Sequence, residues 1–157
     1  MTYRGIQSFY DLTTKIKDIL QADENTNTVT FGDITEVDLN KQTIFPLVHV
    51  MINNASFETN VVRFNVSLIA MDIVNISKAE TTDVFKGNTN EQDVLNTQLS
   101  VLNRMHQKLR KGTPHQDGYH LEGAASLEAF YDRFENELAG WVSTFTVVTM
   151  NNIDICN

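Results

Sequence analysis

The sequence predicts an α+β domain in which two helices pack on one face of a mostly antiparallel sheet of four to five strands. Two segments repeat apolar residues at helical spacing, and several others are β-branched runs that alternate with a period of two. They follow one another as helix, strands, helix and strands. A chain of 157 residues can bury one sizeable core, so we assign residues 1–157 to a single domain.

The first helix is predicted over residues 8–21, because an apolar stripe runs along one face of it: Phe9, Leu12, Ile16, Ile19 and Leu20. Ser8 is a suitable N-cap for this helix. Asp11 would then lie in the first turn, where a carboxylate favours the positive end of the helix dipole.

The second helix is predicted around residues 95–109 from a stripe of five apolar residues: Leu95, Leu99, Leu102, Met105 and Leu109. Thr89 and Gln92 have the spacing of a capping box at its start. At its end, Gly112 predicts a left-handed C-terminal residue and Pro114 prevents continuation.

Four segments are predicted to be strands: residues 28–31, 44–52, 61–74 and 141–150. Pro46 is expected near the start of its strand, because it cannot donate to a ladder. Four other segments give weaker signals: residues 53–60 are predicted as a hairpin loop, 75–90 as a long polar loop, 119–134 as mixed strand and turn, and 132–140 as an irregular connection.

The strand over residues 61–74 has a dry face and a wet face in its first half, where Val62 and Phe64 alternate with Arg63 and Asn65. From residue 69 onward the alternation blurs. Burial on both faces or a β-bulge would explain the change.

Charge and cysteine content exclude several classes of protein. The chain carries 20 acidic and 12 basic residues, a net charge of −8, which argues against sequence-independent binding to phosphate backbones. Its single cysteine, Cys156, excludes an intrachain disulfide and suggests a reducing compartment. No apolar run is long enough to span a bilayer and no leader-like segment is present, so we expect no membrane association.

Catalytic motifs are missing from the sequence. There is no Gly-x-Ser-x-Gly turn, no phosphate-binding glycine loop and no dinucleotide fingerprint. An acidic patch surrounds Arg133 and could in principle hold a general acid and base: Glu128, Asp132, Glu135 and Glu137. Solvated charges are the favoured interpretation, with Arg133 paired locally or across a subunit boundary, so we assign no catalytic and no cofactor-binding residue.

Histidines offer one alternative. His115 and His120, with Asp117 between them, could contact one metal ion if the loop turned tightly, but the sequence specifies no further ligand. Exposed loop histidines are the favoured interpretation, and we assign no metal residue. His49, inside an apolar strand, is expected to be hydrogen-bonded in a core or interface, and His106 is expected to pack beside Met105.

The C-terminal third carries an aromatic group: Phe130, Tyr131, Phe134 and Trp141. Core packing is the first expectation for these side chains, with oligomer contacts as the alternative. The stretch LEAFYDRFENELAGW at residues 127–141, followed by the strand to Met150, resembles tail-terminator and neck-ring (head-tail joining) proteins of tailed bacteriophages, especially those of Bacteroidetes and crAss-like phages. The order of predicted elements is similar to that family over most of the chain.

The resemblance implies a structural virion protein and not an enzyme. Such a protein forms a ring of six or twelve copies in the neck or tail, beside portal, neck or tail proteins, assembled in the bacterial cytoplasm. DNA would pass through the ring without specific binding, and an acidic or neutral lumen would avoid retaining it. It also implies a ring interface at Phe130, Tyr131, Arg133, Phe134 and Trp141. A tail-tube or baseplate subunit, or a small metal-binding host module using His115 and His120, remains an alternative.

Overall fold

A computed structural model describes residues 7–133 and 137–151 of the chain. The described residues form three helices, α1 (Gln7–Gln21), α2 (Glu91–Lys111) and the short α3 (Thr113–Gln116). Five strands complete the fold: β1 (Thr28–Phe31), β2 (Leu47–Phe57), β3 (Val61–Ile73), β4 (His120–Arg133) and β5 (Leu138–Met150).

The strands form one sheet in the order β1-β2-β3-β5-β4. β1 runs parallel to β2, and every other neighbouring pair is antiparallel. This confirms the predicted α+β class with a mostly antiparallel sheet. β1 and β4 are the two edges, so they lie on opposite sides of the sheet.

The main core lies between one face of the sheet and helices α1 and α2, as predicted. α1 contributes Leu12, Ile16 and Leu20, each at most 1% exposed, because their spacing keeps them on one side of the helix. α2 contributes Val101, Leu102, Met105 and Leu109, and β3 contributes Val62, Phe64, Val66, Leu68 and Ala70.

A second, smaller core covers one end of the opposite sheet face. The connection between β1 and β2 contains two 3₁₀ turns, Ile34–Glu36 and Gln42–Ile44, and crosses this face. Six residues form its buried centre: Phe45, Leu47, Ile69, Met71, Phe130 and Leu138. β3 is therefore buried on both faces from Ile69 to Met71, which explains why the alternation blurs there.

Several predicted boundaries were wrong. Residue 44 lies in a 3₁₀ turn, and β2 begins only after the cis Phe45–Pro46 bond. The predicted loop at 53–60 is mostly strand, because β2 continues to Phe57 in register with β3 after an irregularity next to Asn53.

The C-terminal part of the sheet is also more regular than predicted. Residues 120–133, predicted as mixed, form the single strand β4, with register shifts after Glu122 and after Phe130. β5 begins at Leu138 instead of residue 141. Gly140 permits this, because a Cβ atom there would lie 1.9 Å from the Ala70 carbonyl oxygen on β3.

Helix termini differ from the predictions as well. α1 begins at Gln7, so Ser8 lies inside the helix and Asp11 falls outside its first turn. Asn90, not Thr89, is the N-cap of α2. Gly112 ends α2 with a φ of −89°, which is not left-handed, and Pro114 lies in the first turn of α3 instead of ending helical structure.

No helix in the described part of the chain is both long enough and apolar enough to cross a membrane.

Candidate functional site

The predicted ring-interface residues whose side chains the structure describes, Phe130, Tyr131 and Trp141, differ in their exposure. Phe130 is 4% exposed and belongs to the second core, and Trp141 is half-buried on the helix side, where its indole N–H donates to the Leu95 carbonyl at 2.9 Å. Both side chains pack within the chain, which agrees with the first expectation of core packing for these two residues. Tyr131 is 58% exposed and remains a candidate for contact with another molecule.

The remaining predicted interface residues fall at the limit of the description. Arg133 ends β4, but its side chain lies outside the described residues, as do Phe134 and Glu135 and the side chain of Asp132. Of the acidic patch, Glu128 is exposed on β4 and Glu137 is exposed with a φ of 51°. The predicted interface as a whole stays a prediction.

The loop over residues 75–90, between β3 and α2, is an ordered arm. Its two ends are joined because the Asn75 N–H donates to the Asn90 side-chain oxygen at 2.7 Å and the Asn90 N–H donates to the Asn75 carbonyl at 3.2 Å. An isolated antiparallel bridge links Ile76 and Thr89. The Asn88 side chain links the two halves of the arm. Its amide oxygen accepts from the Thr81 hydroxyl, and its amide nitrogen donates to the Ala79 carbonyl.

The tip of the arm presents two apolar side chains to solvent. Val84 is 93% exposed and Phe85 is 89% exposed, the two largest values among the exposed large apolar residues. Asp83 shapes the tip, because its carboxylate accepts from the N–H groups of Phe85 and Lys86 at 3.0 and 3.3 Å. Gly87, with a φ of 68°, lets the chain turn back.

The arm lies beside the β4 edge. Phe85, Leu95 and Tyr131 help to line an open groove of about 230 Å³ between the arm and the end of β4. Lys86 also reaches Asp93 of α2 at 3.4 Å. The exposed pair Val84 and Phe85 is therefore on the same side of the molecule as Tyr131.

An apolar groove of about 290 Å³ lies on the other side, between α1 and the β1 edge. Its lining comprises Thr13, Thr14, Lys17, Val29, Thr30, Phe31 and Val50. Phe31 is 56% exposed there and stands edge-to-face with Phe9, with ring centroids 6.3 Å apart. Because β1 and β4 are opposite edges of five strands, the arm and this groove are separated by about 19 Å of sheet.

The uncovered part of the outer sheet face is polar. Asn53 donates to the side-chain oxygens of Asn65 and Ser67 at 2.8 and 2.7 Å, and Ser67 shares a hydrogen bond of 3.0 Å with Thr144. These polar side chains therefore hydrogen-bond to one another across neighbouring strands, which is typical of a sheet face that contacts solvent.

Arg63 extends this polar face and bridges two carboxylates, Glu58 and Glu122. The hydrogen bond from Arg63 lowers the pKa of Glu58 below its ordinary value. The cluster is a set of exposed ion pairs, and such pairs usually contribute little to stability.

The two internal histidines have structural roles, as predicted. His49 is fully buried in β2; its Nε2–H donates to the Gly32 carbonyl at 2.7 Å and its Nδ1 accepts from the Thr30 hydroxyl at 2.7 Å. Burial lowers the pKa of His49 below its ordinary value, which favours the neutral ring.

His106 follows Met105 on α2, contacts β5 and is 7% exposed. Its Nε2 is 2.7 Å from the Ser143 hydroxyl, and its ring stands edge-to-face with Phe145. Burial, together with the charge of Arg110, lowers the pKa of His106 to about 4.

His115 and His120 are exposed and close together. Their Nδ1 atoms are 3.1 Å apart, and the rings are nearly perpendicular at 88°. Asp117, between them in sequence, is held by Lys15 at 2.8 Å instead. Within residues 7–133 and 137–151, no group of three or more His, Cys, Asp or Glu residues is placed to hold a metal ion.

Val84 and Phe85 are not among the candidate site residues that the sequence singled out. Residues 75–90 are polar in composition, and burial of Val84 and Phe85 is the ordinary expectation for such side chains. An adjacent Val-Phe pair in a polar segment with Asp before it and Gly after it was the available signal. Comparison with known proteins adds no assignment, because no protein-family model matches the chain and no curated protein is significantly similar to it.

Proposed function

We propose that this protein is a structural subunit of a tailed bacteriophage that forms a ring in the neck or tail, as a tail terminator or head-tail connector. The observation that carries the proposal is the arm tip, where Val84 and Phe85 are 93% and 89% exposed on an ordered segment. The resemblance of residues 127–141 to neck and tail ring proteins supplies the virion context.

Ring closure requires two different surfaces on one subunit, because head-to-tail contacts join unlike edges. The arm beside β4 and the groove beside β1 meet this requirement. A dry cavity of about 150 Å³ accommodates benzene, so the 290 Å³ groove has room for the Phe85 ring. Lys17 at the groove and Asp83 at the tip also carry opposite charges.

Burial of the Phe85 side chain in a neighbouring subunit would contribute about 2 kcal/mol to each contact. That energy corresponds to about a 30-fold change in the dissociation constant. A ring with six or twelve such contacts would therefore depend strongly on this one side chain.

A ring of this kind passes DNA without retaining it. The net charge of −8 supports that role, because phosphate binding gains its affinity from counterions displaced by Lys and Arg. Portal, neck or tail proteins would be the neighbours above and below.

Two single variants test the contact. Phe85→Ser removes the arm side chain and Phe31→Ser removes the groove side chain, while Phe57→Ser changes another exposed phenylalanine, 66% exposed, as the matched control. We expect wild type and Phe57→Ser to self-associate in sedimentation at rising concentration, and each of the other variants to do so at least tenfold more weakly.

A mixture of the two interface variants is the sharper measurement. Phe85→Ser keeps its groove and Phe31→Ser keeps its arm, so a head-to-tail contact permits heterodimers but no larger ring. Mass spectrometry of purified virions tests the context. Absence from particles, together with a strict monomer at high concentration, would refute the proposal.

A further inference from the structure

The turn from α3 into β4 brings together the two imidazoles that the sequence analysis considered as a pair of metal ligands. His115 lies in α3 and His120 is the first residue of β4, and their Nδ1 atoms are 3.1 Å apart. Two nitrogens that each lie about 2.0–2.1 Å from one metal ion, at an angle of about 95–100°, are separated by about the same distance. The spacing therefore fits two neighbouring positions in one coordination sphere.

We infer that His115 and His120 form a two-histidine site for a divalent transition-metal ion, held through Nδ1 of each ring. The remaining positions of the ion would be filled by water, because both side chains are exposed. This inference does not depend on ring formation.

The backbone around the pair is held on both sides. The Tyr119 N–H donates to the Pro114 carbonyl at 2.9 Å and the Asp117 N–H donates to the Thr113 carbonyl at 2.9 Å, which closes the turn. Gly118 has a φ of 93°, a conformation that glycine adopts without strain. His120 is then paired with Val148 in the sheet.

Tyr119 anchors the segment between the two rings. It is 5% exposed in the main core, and burial raises the pKa of its phenol to about 12. Lys15 of α1 lies 5.8 Å from the centre of its ring and also binds Asp117. Fixed ligand positions reduce the entropy lost when a metal binds.

The chemistry of the donors selects the ion. Imidazole nitrogen suits Cu²⁺, Ni²⁺ and Zn²⁺, and affinity for a given nitrogen site peaks at Cu²⁺. Mg²⁺ prefers oxygen ligands, so it should not compete. Asp117 is engaged by Lys15 and does not complete a three-ligand site.

Calorimetric titration with Cu²⁺, Ni²⁺, Zn²⁺ and Mg²⁺ tests the inference. The full chain would carry Cys156→Ser, because a free thiol is a competing soft ligand. We expect one Cu²⁺ per chain, with weaker Ni²⁺ and Zn²⁺ binding. His115→Ala and His120→Ala should each weaken Cu²⁺ binding at least tenfold, while the exposed neighbour Gln116→Ala should leave it unchanged.

Electron paramagnetic resonance of Cu²⁺ bound to the Cys156→Ser chain, with both histidines intact, measures the number of coordinating nitrogens independently. Hyperfine coupling of Cu²⁺ to two imidazole nitrogens is the expected result. Coupling to a single nitrogen, or an affinity that changes less than twofold in either histidine variant, would overturn the inference.

Discussion

Acid should destabilise this protein through His106 before the carboxylates with lowered pKa values protonate. The ring is neutral and buried in the folded chain, with a pKa of about 4, whereas an unfolded chain offers the ordinary value of 6.5. Above pH 6.5 the His106 ring is neutral in both the folded and the unfolded chain, so the free energy of unfolding has its full value. Between pH 6.5 and about 4 only the unfolded chain takes the proton, so stability is lost as the pH falls.

The size of the effect follows from the two pKa values. Their difference corresponds to about 3 kcal/mol over the whole range, of which about 2 kcal/mol is lost between pH 7 and pH 5. Asp23, Asp33 and Glu58 have lowered pKa values, so they begin to lose their contributions only near the ordinary carboxyl values of 3.8 to 4.5, at the acid end of this window. His49 acts in the same direction as His106 and is the background to subtract.

His106→Gln removes the titrating ring and keeps a nitrogen donor near the Ser143 hydroxyl. Urea unfolding at pH 5, 6, 7 and 8 would give the free energy of unfolding for wild type and variant. We expect the variant to be less stable at pH 7 by about 1 kcal/mol, because it loses the edge contact with Phe145.

The informative quantity is the loss between pH 7 and pH 5, which should be smaller in His106→Gln than in wild type by about 2 kcal/mol. From pH 7 to pH 8 the two curves should run parallel. An equal acid loss in both proteins would refute the assignment of a buried neutral His106.

Three further predictions concern stability measured by urea unfolding at pH 7. Gly140→Ala should cost more than about 3 kcal/mol or prevent folding, because its Cβ would meet the Ala70 carbonyl oxygen at 1.9 Å. Gln98→Met should raise stability by about 1 kcal/mol, because Gln98 is fully buried in α2 and neither of its amide atoms has a hydrogen-bond partner. Asp23 and Arg104, joined by two bonds of 2.7 and 2.9 Å, should show a coupling energy of about 1 kcal/mol in a double-mutant cycle.

A control variant or a contradicting outcome can be stated for each of these three predictions. Gly123→Ala, on β4 with open space around its Cβ, should cost only about 1 kcal/mol from its φ of 68°; equal losses at both glycines would contradict the close-approach argument. A loss of stability in Gln98→Met would mean that the amide is satisfied in solution. For Asp23 and Arg104, additive single effects would show that the ion pair contributes nothing.

Helices and strands with a short-range residue pattern are predictable from the amino-acid sequence alone. The stripe of Leu12, Ile16 and Leu20 predicts both the existence of α1 and the face that it buries. The alternation of residues 28–31 predicts β1 with its correct bounds. Successive side chains of a strand point to opposite faces of the sheet, so a period of two in the sequence is enough to indicate a strand. The α+β class follows from the order of such segments.

Pairing over long distances decided what local patterns missed. Asn53 and the polar residues up to Phe57 read as a loop, yet they form strand because β3 lies beside them. Gly140 reads as a break, yet it allows β5 to approach the backbone of β3. No local pattern contains the identity of the neighbouring strand, so neither the strand order nor the parallel pairing of β1 was predictable.

The candidate sites depend on the same distinction. Val84 and Phe85 are apolar in the sequence, and the tertiary structure shows that they are exposed at the tip of an arm closed by hydrogen bonds. His115 and His120 are five positions apart, and only the turn at Gly118 brings their nitrogens to 3.1 Å. Composition and periodicity determine what each side chain prefers, whereas the packed backbone decides which of those preferences are met and which are left facing solvent.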